Sequence, residues 1–148
     1  MGSTCTFTVS AATIWSKPDG GAAPTRGDAM KMITAIIRPE RLEAVERALA
    51  AVLDEGDNYR LTVDPVQGHG RQEGEVEYFR GQMVRVRRVP RMRLTICVND
   101  EYASRTIDAI IAGARSEGGG QIGDGKIFVV ELGDCVRIRT GERGSKAI

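Results

Sequence analysis

Residues 91–115 read RMRLTICVNDEYASRTIDAIIAGAR, and this stretch decides the fold. Apolar and polar side chains alternate from Arg91 to Val98, which is typical of a strand with one buried face. Asn99 and Asp100 can cap the helix that the apolar spacing predicts from Glu101 to Arg115. The stretch therefore predicts a strand followed directly by a helix. The residues predicted on the buried face of that helix are Ile107, Ile110, Ile111 and Ala114.

A strand and a helix of the same kind precede this stretch. The β-branched and apolar residues from Met30 to Arg38 predict a central strand. Pro39 ends that strand and suits the first turn of an amphipathic helix from Glu40 to Ala51. A further strand fits Tyr59 to Gln67, and its Pro65 is best tolerated at a sheet edge or a bulge.

The order of these elements predicts the architecture. A last apolar strand, Ile127–Leu132, gives the order strand, helix, strand, loop, strand, helix, strand, which is the α+β, ferredoxin-like split βαβ arrangement. The loop from Gly68 to Pro90 is long for a compact domain, and loops of that length are usually functional or disordered. Residues 1–29 have linker chemistry and predict a flexible N-terminal extension, so residues 30–148 form the folded domain.

The composition limits the class of protein. The chain has 148 residues, 41% hydrophobic and 28% charged, as in an ordinary globular domain with its own core. A formal net charge of +1 gives no global case for binding nucleic acid or an anionic membrane surface. No apolar run reaches the roughly 20 residues of a membrane-spanning helix, and the first residues lack a secretory signal. We therefore expect a cytoplasmic protein without direct membrane insertion.

Cysteine and histidine are too few for the common metal and catalytic constellations. Cys5, Cys97 and Cys135 show no C-x-x-C spacing, which fits neither a disulfide framework nor a zinc site. His69 is the only histidine, so sites that need two imidazoles are excluded. We expect buried or unreactive thiols.

Gly123, Asp124, Gly125 and Lys126 form the strongest local feature, directly before the last strand. Glycines let backbone N–H groups converge on an anion, and a lysine adds a point charge. The pattern differs from the nucleotide-binding P-loop, because no G-x-x-x-x-G-K-[ST] occurs and a strand follows in place of a helix. It favours phosphate binding, and a plain glycine turn with a solvated lysine is the alternative.

Two further segments carry candidate binding groups. If residues 137–142 are extended, alternation places Arg137 and Arg139 on one face, where two guanidinium groups suit a polyphosphate. A solvated strand edge guarded by charge is the alternative. The glycines of residues 68–74 permit close approach of the backbone to a ligand, and Gln72 offers an amide oxygen to a metal or a substrate.

Together these segments resemble the PII nitrogen-regulatory family. The resemblance covers residues 30–148 and is carried most specifically by the blocks I-G-D-G-K-I-F at residues 122–128 and R-I-R-T-G-E at residues 137–142. It implies a homotrimer in which ATP and ADP compete for clefts between subunits. The nucleotide-binding residues that it implies are Thr62, Gly68, Gly70, Arg71, Gly123, Asp124, Gly125, Lys126, Arg137 and Arg139.

The resemblance also implies an effector site. In the family, the glutamine that matches Gln72 helps to hold Mg²⁺ and 2-oxoglutarate next to ATP, and Gly74 and Arg91 complete the matching positions. Arg91 stands where the family has a lysine that pairs with the 2-oxoglutarate carboxylate. Its planar fork does not occupy a lysine's position, so the sequence leaves 2-oxoglutarate binding open.

The long loop is the predicted partner-binding segment. The family's modified tyrosine falls on Val84, which has no hydroxyl group and cannot be uridylylated or adenylylated. The second half of the loop and the residues that follow it, 84–93, are strongly basic and favour an acidic partner surface. The alternative is a solvated face of a β-ribbon. The implied partner is a regulated protein such as a transporter or a nitrogen-metabolism enzyme. The loop residues assigned to it are Tyr78, Arg80, Val84, Arg85, Arg87 and Arg88.

Other functions stay open from the sequence. A divergent member could act as an energy sensor without 2-oxoglutarate, and a slow ATP-hydrolysing enzyme is the catalytic alternative. No positioned carboxylate or histidine base near the glycine block is evident, so we expect a binding protein and no enzyme. A sheet that binds RNA needs exposed aromatic pairs, which the few aromatic residues do not form.

Overall fold

A computed structural model describes residues 29–53, 60–68, 76–79, 82–85 and 88–148, with 76–79 and 82–85 described as backbone only. In chain order its elements are β1 (Met30–Ile37), α1 (Leu42–Val52), β2 (Arg60–Gly68), β3 (Val76–Phe79), β4 (Gln82–Arg85), β5 (Val89–Asn99), α2 (Asp100–Ala114) and β6 (Gly125–Leu132). Short 3-10 turns occupy Pro39–Arg41 and Gly144–Ala147. The predicted extension, residues 1–29, lies outside the described residues apart from Ala29.

Four strands form one antiparallel sheet in the order β2-β5-β1-β6. β1 lies between β5 and β6, so that Ile33 faces Ile96 on one side and Val129 on the other. With a helix after β1 and another after β5, this is the ferredoxin-like arrangement, and the fold prediction is confirmed. β2 is an edge strand of this sheet, which is the position that its Pro65 needs.

One apolar core joins both helices to a single face of the sheet. Its most deeply buried side chains are Ile33, Ile37, Val45, Leu49, Leu94, Ile96 and Ile110. Gly113 of α2 lies directly against α1, because a Cβ atom there would be 2.6 Å from the Cα of Val45. The two helices therefore pack at a separation that only glycine permits at this position.

The helix α2 departs from the sequence prediction in two details. Asn99 is its N-cap residue, but the Asn99 side chain makes no capping hydrogen bond, and the N–H of Asp100 instead donates to the carbonyl of Ala29 at 2.9 Å. Ile111, predicted on the buried face, is 36% exposed. Thr106, which was not predicted on the buried face, is fully buried. Its hydroxyl tolerates burial because it donates to the carbonyl of Tyr102 at 2.8 Å.

No helix of the described residues packs on the other face of the sheet, which we call the open face. Because paired residues share a face, Met32, Cys97 and Val130 form one row across it. Phe128 and Val130 lie on this face at the β6 edge and are 53% and 51% exposed. Exposed apolar side chains on an edge strand favour burial against another chain.

The predicted long loop contains secondary structure of its own. β2 continues to Gly68, β5 begins at Val89, and β3 and β4 pair with Tyr78 opposite Met83. The long segment between β2 and β5 therefore contains a β-hairpin that the sequence analysis did not assign. No helix of the described residues is long and apolar enough to cross a membrane.

Candidate functional site

Residues 122–125 form a turn at the start of β6, which we call the glycine turn. Gly123 and Gly125 have φ values of 101° and 121°, which L side chains rarely adopt. Gly125 also pairs with Ile37, and a Cβ atom on Gly125 would lie 1.8 Å from the carbonyl oxygen of Ile36. The turn is thus held against the end of β1, and its shape depends on glycine.

The carboxylate of Asp124 is turned toward the protein. Its Oδ1 atom accepts a hydrogen bond from the hydroxyl of Ser116 at 2.5 Å, and its Oδ2 atom accepts from the N–H groups of Ser116 at 2.9 Å and Gln121 at 2.8 Å. These bonds, the Ser116 hydroxyl first, lower the pKa of Asp124 to about 2, with a further contribution from the charge of Arg38. The carboxylate is therefore ionised at neutral pH and fully occupied by its own chain.

Arg38 is a residue of this site that sequence analysis missed. Its guanidinium donates to the carbonyls of Gly123 at 3.3 Å and Ile122 at 3.1 Å, and its Nε atom lies 3.5 Å from Oδ1 of Asp124. The available signal was topological. In a ferredoxin-like sheet the first and last strands are neighbours, so a cation at the end of β1 lies beside the turn that opens β6.

Lys126 follows the glycine turn and presents a free cation. It is exposed, and within the part of the chain that the structure describes its ammonium group has no hydrogen-bond or ion-pair partner. By contrast, Lys31 is paired with Glu131 at 2.8 Å and Arg93 with Asp64 at 3.1 Å. An unpaired ammonium group beside exposed glycine backbone is the arrangement that binds a phosphate.

The predicted nucleotide residues on β2 lie away from this turn. Thr62, Thr95, Thr34 and Phe128 form one row across the open face. Thr62 is therefore three strand spacings, or about 14 Å, from β6, although it shares the open face with Lys126. Gly68 lies against Arg91 instead, because a Cβ atom at Gly68 would be 3.2 Å from Cγ of Arg91.

The two C-terminal arginines have different surroundings. Residues 137–141 form a turn, in which the N–H of Gly141 donates to the carbonyl of Arg137 at 2.8 Å, so the interpretation of this segment as extended is wrong. The guanidinium of Arg137 is used inside the loop, where it contacts Glu142 Oε2 at 2.6 Å and the carbonyl of Lys146 at 2.9 Å. Arg139 is exposed and has no partner among the described residues.

The residue next to Arg139 is an exposed apolar side chain. Ile138 is fully exposed, and several other apolar residues are about half exposed. A fully solvated isoleucine next to an unpaired arginine suggests that this turn meets another surface. Arg137 and Glu142 stabilise this turn through their side-chain contact and through the bond from the Arg137 N–H to the Glu142 carbonyl. The side chain of Arg139 is exposed on the turn.

A groove of about 360 Å³ lies between α2 and β6 next to the glycine turn. Its walls are mainly aliphatic and include Ile107, Ile110 and the exposed Ile111. Aliphatic walls do not offer partners to a phosphate, and the charged lining residues are Arg115, Asp124 and Lys126. No group of three or more potential metal ligands occurs in the described ranges.

Several predicted site residues fall outside the described residues. These are Gly70, Arg71, Gln72, Gly74, Arg80 and Arg87. For Tyr78, Val84 and Arg85 only the strand backbone of the β3–β4 hairpin is described. Arg88 is exposed, and Arg91 donates to the carbonyl of Pro90 at 3.3 Å.

The half-buried thiol of Cys97 lies on the open face. Burial, and to a lesser extent the neighbouring Cys135, raise the pKa of Cys97 above its usual value. A raised pKa keeps a thiol protonated and weakly nucleophilic. This thiol is therefore not an evident catalytic group.

Comparison with known families identifies one match. A family model described as "Nitrogen regulatory protein P-II" matches residues 30–142. A nitrogen regulatory protein P-II of Rhizobium etli is 44% identical over 119 residues, which cover 80% of this chain and 100% of the relative. The nitrogen regulatory protein GlnK of Escherichia coli is 40% identical over 119 residues, with the same coverage.

Two solved structures have the same fold. Arabidopsis thaliana PII bound to citrate is 34% identical, with a TM-score of 0.61, and the match covers 82% of this chain and 94% of that one. The GlnK–ATP complex of B. subtilis is 27% identical, with a TM-score of 0.63, and the match covers 82% of this chain and 99% of that one.

Proposed function

This chain belongs to the nitrogen regulatory protein P-II family, and from that premise we propose that it is a signal transduction protein that binds ATP and ADP and regulates a partner protein. The observation that carries the proposal is the glycine turn beside the ammonium group of Lys126, which has no partner among the described residues. A relative in this fold is described as a complex with ATP, which supports the same ligand here.

We propose that the phosphates lie between Lys126 and the exposed backbone of the glycine turn. Gly123, Gly125 and Lys126 contribute backbone and charge, while Asp124 shapes the turn without touching the ligand, because its carboxylate is already bonded. Gly68, Gly70 and Arg71 stay in the proposal as residues of the same nucleotide site.

The proposal assigns the rest of the site to a neighbouring copy in a homotrimer. The distance of about 14 Å between β2 and β6 is too long for Thr62 and Lys126 of one chain to grip the same phosphate group. Within the described ranges Arg139 has no partner and lies beside a fully exposed Ile138, and Phe128 and Val130 are half exposed. A neighbour that covers these apolar residues can bring Arg139 to the phosphates of the next subunit.

The experiment that tests nucleotide binding is calorimetric titration of Lys126→Ala with ATP and ADP. We expect affinity to fall at least about tenfold, since a charge-assisted contact to phosphate is worth about 1.5 to 3 kcal/mol. Arg47→Ala, which removes an equally exposed cation on α1, serves as the matched control and keeps wild-type affinity. Wild-type ADP binding by Lys126→Ala contradicts the site.

Effector binding is proposed at the base of the loop. Gln72 and Gly74 would hold Mg²⁺ and 2-oxoglutarate next to ATP, with Arg91 as the carboxylate partner. Arg91 packs its stem on Gly68, so a guanidinium at this position lies close to the β2 end of the site. Calorimetry with 2-oxoglutarate, with and without ATP and Mg²⁺, tests this: binding only in the presence of ATP supports it. Absence of binding under both conditions favours an energy sensor that reads ATP and ADP alone.

We propose that the loop containing the β3–β4 hairpin contacts the regulated partner, a transporter or a nitrogen-metabolism enzyme. The basic residues Arg85, Arg87 and Arg88, with Arg80, favour an acidic surface, and Tyr78 and Val84 lie on the paired strands. Val84 has no hydroxyl group, so control by modification at this position is chemically impossible. The proposed location is the cytoplasm, where such partners are reached.

We infer that the chain acts by binding and has no catalytic role. Asp124 is the carboxylate next to Lys126, and a carboxylate with a pKa of about 2 that already accepts three hydrogen bonds is a poor general base. A turnover for ATP hydrolysis far below about 1 per second is expected. Turnover at ordinary enzyme rates would contradict this inference.

A further inference from the structure

Three side chains from three separate segments meet behind the glycine turn. Arg38 comes from the end of β1, Asp124 from the turn itself, and Ser116 from the residues that follow α2. Asp124 contacts both of the others: its Oδ1 atom lies 2.5 Å from the Ser116 hydroxyl and 3.5 Å from Nε of Arg38. We call these three residues the clamp.

The clamp solves an electrostatic conflict within the proposed phosphate site. An aspartate in the middle of a loop that receives a polyphosphate places like charge near the ligand, which weakens binding. Here the carboxylate is held on the protein side by Ser116 and Gln121 and is opposed by the Arg38 cation. Only 18% of the side-chain surface of Asp124 is exposed, so little of its charge faces a ligand.

Arg38 fixes the backbone as well as the charge. Its guanidinium binds the carbonyl oxygens of Ile122 and Gly123, so these carbonyls point toward β1. Carbonyl oxygens that are bound to a cation on the protein side do not face an anion on the outer side of the turn, which lowers their repulsion of a phosphate. The same side chain therefore orients both carbonyl dipoles and the aspartate.

Ser116 connects the clamp to the residues before the turn, 116–121, which we call the glycine-rich loop. The Gly120 N–H donates to the Ser116 carbonyl at 3.2 Å, while a Cβ atom on Gly118 or Gly119 would meet nothing within 4 Å. The loop thus touches the protein at its two ends, where Ser116 and Gln121 both bind Asp124. Its attachment is made through the carboxylate that shapes the turn.

We propose that Arg38, Asp124 and Ser116 are positioning residues that set the affinity of the glycine turn for polyphosphates, and that the glycine-rich loop is coupled to nucleotide binding through Ser116. The proposal rests on the function proposed above. It predicts that loss of the clamp lowers affinity more for a ligand with more phosphate groups and leaves the affinity for adenosine unchanged.

The test compares Ser116→Ala with wild type by calorimetric titration of the full chain with ATP, ADP and adenosine. Loss of the hydroxyl removes the hydrogen bond to Oδ1 of Asp124, whereas the two N–H bonds to Oδ2 remain. The charge on Oδ1 is then less compensated beside the phosphates, so ATP affinity should fall about tenfold, ADP affinity by less, and adenosine affinity not at all. Ser116→Thr retains a hydroxyl and should recover most of the loss. Ser104→Ala removes an exposed serine of α2 and serves as the matched control.

A spectroscopic reading of the carboxylate separates the clamp from general damage. The carboxyl ¹³C shift of Asp124 followed against pH should titrate near 2 in wild type and at higher pH in Ser116→Ala. If Ser116→Ala does not fold, Arg38→Met and its conservative partner Arg38→Lys give the same comparison. Arg38→Lys should retain the charge and part of the ATP affinity.

The outcomes are distinguishable. A wild-type chain that binds neither ATP nor ADP removes the proposed function itself, and the clamp with it. A wild-type chain that binds both, with Ser116→Ala keeping full ATP affinity despite a raised Asp124 pKa, overturns the clamp alone. An equal loss of ATP and adenosine binding also overturns it, because that pattern indicates a merely structural role.

Discussion

Gly125 has little freedom to change, because it lies directly against the backbone of β1. We predict that Gly125→Ala lowers the free energy of unfolding by about 2 to 4 kcal/mol, since the new methyl group would lie 1.8 Å from a backbone oxygen and the residue has a φ of +121°. Urea denaturation measures this change. The control is Gly133→Ala, where a Cβ atom would meet nothing within 4 Å, and its stability should stay within about 0.5 kcal/mol of wild type.

Asp124 should make stability depend on acid pH. Its pKa is about 2 in the folded chain and about 3.9 in an unfolded one, so the folded state binds its proton less tightly. The stabilisation is therefore complete above the unfolded value and is lost as pH falls from about 4 toward 2. We predict that Asp124→Asn is clearly less stable than wild type at pH 7, and that the difference shrinks at pH 3. A difference independent of pH would contradict this assignment.

Single residues show both what the sequence predicts and where it stops. The glycines and Lys126 were recognisable because their chemistry is local: positive φ angles and a cation next to them are written in consecutive letters. Arg38 was not, because its partners in the glycine turn are more than eighty residues away and depend on the pairing of β1 with β6. The assignment of Arg137 to the nucleotide stays a prediction, and the contacts of its guanidinium with Glu142 and the carbonyl of Lys146 could not be foreseen from the sequence.

At the level of elements, the contact between α1 and α2 depends on Gly113. We predict that Gly113→Ala destabilises the protein by about 1 to 3 kcal/mol, although alanine is the better helix former by about 1 kcal/mol. A methyl group 2.6 Å from the Cα of Val45 must push the helices apart. Thermal unfolding measures the effect, and Ser104→Ala on the exposed side of the same helix should leave the midpoint unchanged or slightly higher.

The order of strands and helices was predictable because the apolar residues of each element recur at the spacing of a strand or a helix. Residues such as Pro39 mark the boundaries between elements. Pro65 predicted an edge position or a bulge, and β2 lies at the edge of the sheet. Apolar spacing alone could not assign Ile111, since a residue at the border of the buried face is decided by how closely a neighbouring strand approaches. The β3–β4 hairpin was missed because its strands have only four residues each and are flanked by glycine and charged residues, as in a loop.

For the whole molecule, we predict that the purified chain is a trimer by analytical ultracentrifugation and that Val130→Asp converts it to a monomer. The reason is that Val130 lies half exposed on the open face beside Phe128, where a carboxylate cannot be buried without a partner. In Val130→Asp the affinity for ATP should also fall, since Arg139 of a neighbour is lost. Ala112→Asp, on the exposed side of α2, should remain trimeric.

The half-exposed apolar strip of β6 also bears on how this protein comes into being. A newly synthesised chain that folds alone carries Phe128, Val129 and Val130 in contact with water on an unprotected edge strand. Such strips recruit other unprotected strands indiscriminately. Rapid assembly of chains made from the same messenger RNA would bury the strip before it aggregates. The soluble yield on overexpression should therefore fall most when synthesis is faster than subunit assembly.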